Sequence, residues 1–131
     1  LEMLYGANLY VAGWAHLRAE DYERAIGRLE ESNEAKWFGR GIAYPLLAIA
    51  HHKMGCVEDA LRSFEESQAF LDRMLDDSVS QSTGSPSIPW IDWIEFLLNH
   101  REASIIVKGH TPAIDSRLRQ LESFAEAAIV D

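Results

Sequence analysis

A pattern of residues in the first half of the chain recurs after 35 positions. The recurring pairs are Ala25 and Ala60, Leu29 and Phe64, Ser32 and Ser67, and His16 and His51. Self-similarity at a fixed period of this length is typical of stacked helical hairpins. Such arrays bind partners more often than they catalyse reactions, because they present an extended concave surface. The repeat therefore predicts an interaction module, although it does not identify the ligand.

The composition sets limits on the partner of this chain. Its 131 residues fit one domain, and an apolar fraction of 47% is sufficient for a folded core. The net charge of −9 opposes binding to nucleic acid or to an anionic membrane, since both need clustered Lys and Arg. Acidic residues spread along helices predict a solvated surface, with a basic partner as the second interpretation.

Cysteine usage and hydropathy predict where the chain resides. Cys56 has no second cysteine with which to form an internal disulfide, so a reducing, cytoplasmic environment is expected. The longest apolar stretch, at residues 42–50, is too short to span a bilayer. Glu2 stands where a signal peptide would carry basic residues, so no signal peptide is predicted.

Apolar spacing and capping residues predict six helices. Their expected ranges are 2–18, 21–35, 42–54, 57–75, 90–107 and 112–129. Asp21, Gly55 and Gly109 are the expected caps, and Thr111 with Pro112 is expected to begin the last helix. One helical domain follows, made of repeat 1 (1–35), repeat 2 (36–75), a flexible Ser-rich loop (76–89) and a third hairpin (90–131).

The first four predicted helices resemble two tetratricopeptide (TPR) repeats. The matching positions are Leu9, Ala12-Gly13, His16, Tyr22, Ala25, Leu29 and Ser32 in the first repeat, and Tyr44, Leu47-Ala48, His51, Gly55, Ala60, Phe64 and Ser67 in the second. The chain departs from the pattern because it lacks the first Trp and the closing Pro, and His replaces the usual Tyr. The resemblance implies an all-α, right-handed stack of antiparallel helical hairpins, with a degenerate or capping third hairpin.

A narrower resemblance concerns the amino-acid sequences of individual helices. Residues 22–26 and 47–55 are similar to the repeat tails of certain bacterial serine/threonine protein kinases and WD-repeat proteins. The sequence contains no Gly-rich loop, His-Arg-Asp or Asp-Phe-Gly signature of a kinase catalytic domain. The resemblance implies a non-catalytic scaffold within, or related to, a kinase-type multidomain protein.

In the TPR family, ligands lie in the concave groove that the first helix of each hairpin lines. The register implies a peptide-binding groove formed by Tyr10, Trp14, Leu17, Arg18, Ile49, His52 and Lys53. Trp, Tyr and Arg are the residue types enriched at binding hot spots. The alternative is that Trp14 and Ile49 only pack against neighbouring helices.

Catalytic and metal sites are the competing interpretations of the polar residues. His51, His52 and Cys56 are the candidate metal ligands, but a structural zinc site needs four ligands and the sequence offers no second pair. The carboxylates lie at amphipathic helical spacing, where solvated charge is the default. We therefore predict no catalytic residues, no metal and no cofactor. A small helical enzyme or a metal site using His51 and His52 stays an alternative.

Self-association is a third class of function. Trp37 and Phe38 are adjacent and difficult to bury together, and the predicted fifth helix begins with apolar residues on nearly every side. Exposed apolar patches of this kind favour oligomers or docking to a larger parent protein. Homo-oligomerisation is therefore the main alternative to peptide binding.

Overall fold

A computed structural model describes residues 2–80 and 88–129 of the chain. It contains six α-helices in the order predicted, which confirms the all-α fold, and no strand is present among the described residues. No described helix is both long and apolar enough to cross a membrane. The helices are α1 (Glu2–Arg18), α2 (Tyr22–Glu34), α3 (Tyr44–Lys53), α4 (Val57–Ser80), α5 (Trp90–Ala103) and α6 (Ser116–Ile129).

The first hairpin pairs α1 with α2 through small residues. Ala25 is fully buried between the two helices, and Gly13 lies so close to Leu29 that an added Cβ would come within 2.6 Å of its side chain. Side chains larger than Gly or Ala at these places would separate the helices. Asp21 caps α2 as predicted, because its carboxylate accepts a hydrogen bond from the backbone N–H of Arg24.

The second hairpin pairs α3 with α4 in the same way. Ala60 is buried at the position equivalent to Ala25, and Pro45 occupies the first turn of α3, where its missing N–H costs little. Gly55 has a φ of +79°, a left-handed conformation that ends the helix after the cap at Met54. The 35-residue repeat therefore corresponds to two successive helical hairpins, each with a buried alanine at the repeated position.

Buried Trp37 joins the two hairpins, while its neighbour Phe38 is 41% exposed. Its ring lies against Gly6, where an added Cβ would approach the ring to 2.4 Å. Its indole N–H donates to the backbone oxygen of Ser32 at 2.9 Å, and the Ser32 hydroxyl donates to the oxygen of Gly6 at 2.9 Å. This connection explains why α1, α2 and the segment before α3 form one core.

Helix α4 is longer than the sequence pattern predicted. It continues to Ser80, and buried Ser78 extends the face of Met74 and Leu75 beyond the expected end at Leu75. Residues 76–80, which we expected to begin a flexible loop, are therefore helical. The remainder of that loop, residues 81–87, lies outside the described residues.

The third unit also differs from the prediction. Helix α5 continues as a π-helical segment, Ser104–Lys108, and ends at left-handed Gly109. The last helix begins at Ser116 instead of Pro112, because the carboxylate of Asp115 accepts the backbone N–H of Arg117 at 2.9 Å. Among the described residues, α6 packs against α4 and makes no close backbone approach to α5. Helices α5 and α6 therefore do not pair closely as the predicted third hairpin.

The small residue at position 60 can be tested directly. We expect Ala60→Trp to destabilise the fold by about 1–3 kcal/mol or more, because the buried site between α3 and α4 cannot hold an indole without displacing a helix. Chemical denaturation measures the change in unfolding free energy, with Ala15→Trp on the exposed face of α1 as the control. Equal stability of both variants would contradict the proposed close contact.

Candidate functional site

The structure places the seven residues of the predicted groove in two different environments. Tyr10, Leu17 and Ile49 belong to the buried core, and Trp14 is half-buried. Arg18, His52 and Lys53 are exposed. The seven residues therefore do not form an open apolar groove by themselves.

Helix α5 covers the face that these residues were predicted to line. Asn99 of α5 donates a hydrogen bond to the Tyr10 hydroxyl at 3.3 Å, and both guanidinium nitrogens of Arg18 donate to Glu102 at 2.8 Å. Four of the seven predicted residues, Leu17, Arg18, Ile49 and Lys53, line one opening of about 230 Å³. Contacts with α5 thus take up part of the face where the register implied a peptide, and binding there stays a prediction.

Burial and pairing shift the pKa values of the groups beneath α5. Burial, reinforced by nearby Glu95, raises the pKa of Tyr10 well above its ordinary value, so the phenol is neutral. The hydrogen bonds from Arg18 lower the pKa of Glu102 and keep its carboxylate charged. Both pKa shifts arise largely where side chains of α1 and α5 meet.

A larger opening lies between α4, α5 with its π-helical segment, and α6. It has a volume of about 850 Å³, and we call it the α4–α6 groove. Apolar side chains form much of its surface: Phe64 and Leu71 from α4, Leu97 from α5, and Leu118 from α6. No residue of α6 is fully buried, so one wall of the groove consists of a helix with few packing contacts.

An arginine fixes α6 in this position. The guanidinium of Arg117 pairs with Asp115 at 2.8 Å, and it reaches α4 through Asp72 at 2.8 Å and Asp76 at 2.9 Å. These carboxylates raise the pKa of Arg117, and the hydrogen bonds from Arg117 lower the pKa of Asp115. The width of the groove therefore depends on a charged contact between α4 and α6.

His100 contributes a buried polar group to the groove. Its side chain is 2% exposed and stacks between the rings of Phe64 and Phe96, at centroid distances of 5.1 and 5.7 Å. The Nδ1 atom lies 2.7 Å from the Ser67 hydroxyl, whereas the Nε2 atom is buried and has no hydrogen-bond partner among the described residues. An unpaired buried nitrogen is costly to the fold.

Burial lowers the pKa of His100, which favours the neutral ring. In the hydrogen bond between Nδ1 and the Ser67 hydroxyl, the tautomer of that ring decides which atom donates.

Basic side chains surround the mouth of the α4–α6 groove. Arg101, Lys108 and Arg119 line it and are exposed, and the Lys108 ammonium lies 6.0 Å from the ring of Phe64. The acidic residues of the lining are Asp115, which pairs with Arg117, and Glu122. This locally basic rim stands out on a chain with a net charge of −9.

The sequence analysis missed this site because it treated α6 as a simple cap. Two signals were available: a histidine inside the apolar helix α5, and the recurrence of Ser32 as Ser67. The structure also brings together three side chains that offer metal-ligating atoms, His51, Cys56 and Asp59, whereas the predicted partner His52 points outside this group.

No protein-family model, curated protein or solved structure matches the chain significantly. The function of the site is therefore inferred from the chemistry of its own residues.

The buried histidine makes stability depend on pH. Because the folded pKa of His100 lies below its ordinary value of 6.5, the unfolded state binds a proton at higher pH than the folded state. Stability should thus fall as the pH is lowered below about 6.5, by at most about 1.4 kcal/mol per pH unit from this group.

Denaturation of the His100→Gln variant between pH 7.5 and 5 measures this contribution. We expect its stability to vary less with pH than that of the unmodified chain, because glutamine does not titrate there. His110→Gln, at an exposed position, is the control and should keep the original slope. Identical slopes in all three proteins would contradict a buried neutral imidazole.

Proposed function

We propose that this chain is a non-catalytic protein-interaction module that binds a peptide segment of another protein in the α4–α6 groove. One observation carries the proposal: an open groove of about 850 Å³ combines an apolar lining with the exposed basic side chains of Arg101, Lys108 and Arg119. Sites that bind ligands through a few placed polar groups among apolar side chains have this character.

The chemistry of the lining defines the expected peptide. Leu71, Leu97 and Leu118 suit apolar anchor residues of the ligand. Arg101 and Lys108 favour acidic residues beside the anchors. We therefore propose an acidic amphipathic peptide as the ligand.

The proposal extends to the setting of the module. The similarity of residues 22–26 and 47–55 to the repeat tails of bacterial kinases supports a role in recruiting partners to a kinase-type multidomain protein in the cytoplasm. In this proposal no step of a reaction is assigned to the groove.

Peptide selection tests the groove. A displayed library of random peptides is screened against the full chain, and selected sequences are measured by fluorescence anisotropy. We expect acidic amphipathic peptides, and we expect Arg101→Glu to weaken their binding about tenfold or more because it reverses the charge at the rim. Arg40→Glu, away from the groove, is the control of equal charge change.

Two results would overturn this proposal. One is the absence of any selected peptide that binds the unmodified chain. The other is equal weakening by Arg101→Glu and Arg40→Glu, which would indicate only nonspecific attraction. Loss of binding in Trp14→Ala without loss in Arg101→Glu would instead favour the α1 face predicted from the sequence.

Homo-oligomerisation is a second candidate function, because one face of α5 is both apolar and exposed. Ile91, Ile94 and Leu98 follow helical spacing on this face and are 66%, 40% and 63% exposed. Trp90 and Ile105 extend the same apolar surface along the helix. A second copy of the chain could bury this stripe, since its like-on-like contact would be apolar throughout.

Sedimentation velocity distinguishes this second candidate. If the stripe forms a dimer, the unmodified chain should sediment as a larger species with rising concentration, and Leu98→Asp should remain monomeric because a buried carboxylate is costly. Val57→Asp, at an exposed apolar position on α4, should dimerise like the unmodified chain. A monomer at every concentration would exclude dimerisation through α5.

A further inference from the structure

The turn between α3 and α4 folds back on the end of α3. Gly55 adopts its left-handed conformation there, and the backbone N–H of Cys56 donates to the oxygen of His51 at 2.9 Å. This geometry brings the Cys56 side chain beside the imidazole of His51. The first turn of α4 then adds Asp59 to the same place.

These three side chains offer a nitrogen, a sulfur and an oxygen within 4.8 Å of one another. All three residues are half-buried, so the group is neither fully solvated nor sealed in the core. The Nδ1 atom of His51 is itself buried and has no hydrogen-bond partner. The arrangement therefore contains a buried acceptor or donor that nothing in the described structure satisfies.

We propose that His51, Cys56 and Asp59 form a binding site for a divalent first-row metal ion, with Zn²⁺ as the best match. Imidazole, thiolate and carboxylate are all zinc ligands, and thiolate disfavours hard cations such as Mg²⁺ and Ca²⁺. Three protein ligands leave the fourth tetrahedral position to a water molecule. The imidazole of His51 would supply the nitrogen ligand.

The surroundings of Asp59 are compatible with this role. Its Oδ1 atom pairs with Arg62 at 2.8 Å, and both side chains are substantially exposed. An exposed pair of this kind contributes little stability, so the carboxylate can turn toward an ion at small cost. The Oδ2 atom takes no part in that hydrogen bond.

The first repeat provides an internal comparison, because its residues occupy equivalent positions 35 residues earlier. His16 corresponds to His51, but Asp21 replaces Cys56 and Arg24 replaces Asp59. The Asp21 carboxylate is already engaged as the cap of α2, and a cation at the third position would repel a metal ion. The site is therefore specific to the second repeat.

A metal ion at this position would connect the end of α3 to the start of α4. Because binding would require the folded turn, the ion would stabilise the second hairpin in proportion to its affinity and concentration. The proposed site lies apart from the α4–α6 groove, and its test is independent of peptide binding.

Metal titration tests this inference on the reduced full chain after treatment with a chelator. Zn²⁺ binding is measured by calorimetry, and Co²⁺ is used as a spectroscopic substitute. We expect one ion per chain, a thiolate-to-Co²⁺ charge-transfer band, and displacement of Co²⁺ by Zn²⁺. Cys56→Ser should abolish that band and weaken Zn²⁺ binding by at least about tenfold.

Asp59→Asn is the second variant, and it should weaken binding while keeping the thiolate band. His52→Asn and His16→Asn are controls, since neither residue belongs to the group, and circular dichroism verifies that each variant is folded. The inference is overturned if the unmodified chain binds no stoichiometric Zn²⁺, if Cys56→Ser leaves binding unchanged, or if His52→Asn weakens it equally.

Discussion

The close approach of paired helices at two buried alanines is the constraint on which the rest of this structure depends. Ala25 and Ala60 occupy equivalent places in the two hairpins, and both are almost completely inaccessible to solvent. These contacts fix how the paired helices lie against each other, so they also fix the neighbours of the residues further along the same helix face. Ser32 thus reaches the backbone of Gly6, while its equivalent Ser67 reaches the imidazole of His100. The serine at this repeated position takes part in helix packing in the first hairpin, and in the second hairpin it contacts a residue of the candidate site.

Most of the secondary structure could be predicted from the sequence, because its signals are local. Asp21, Gly55 and Gly109 each mark a helix end where capping chemistry requires one. Several repeat positions are also buried, among them Ala25, Leu29, Ala60 and Phe64. The later boundaries were less accurate, since the beginning of α6 depends on the Asp115 carboxylate and the end of α4 depends on contacts that only the fold supplies.

The candidate sites were less predictable, because they depend on how distant elements meet. The register predicted Tyr10 and Ile49 for a ligand groove, whereas both are buried in the core, and the register does not tell where α5 will pack. Similarly, helical spacing separates His51 from Cys56, yet that spacing no longer applies beyond the left-handed residue Gly55. The sequence singled out His51 and Cys56 but not Asp59, because only the folded turn brings Asp59 beside them.

The attachment of α6 has a consequence for how the groove behaves. Arg117 attaches α6 to α4 through charges that are partly accessible to solvent, while Leu118 and Leu121 of α6 pack against the core. Mobile ions screen such charge attractions over roughly 8–10 Å at moderate ionic strength. Apolar contacts are far less sensitive to screening. Added salt should therefore weaken the charged part of this attachment while the apolar contacts of α6 and the two hairpins stay intact.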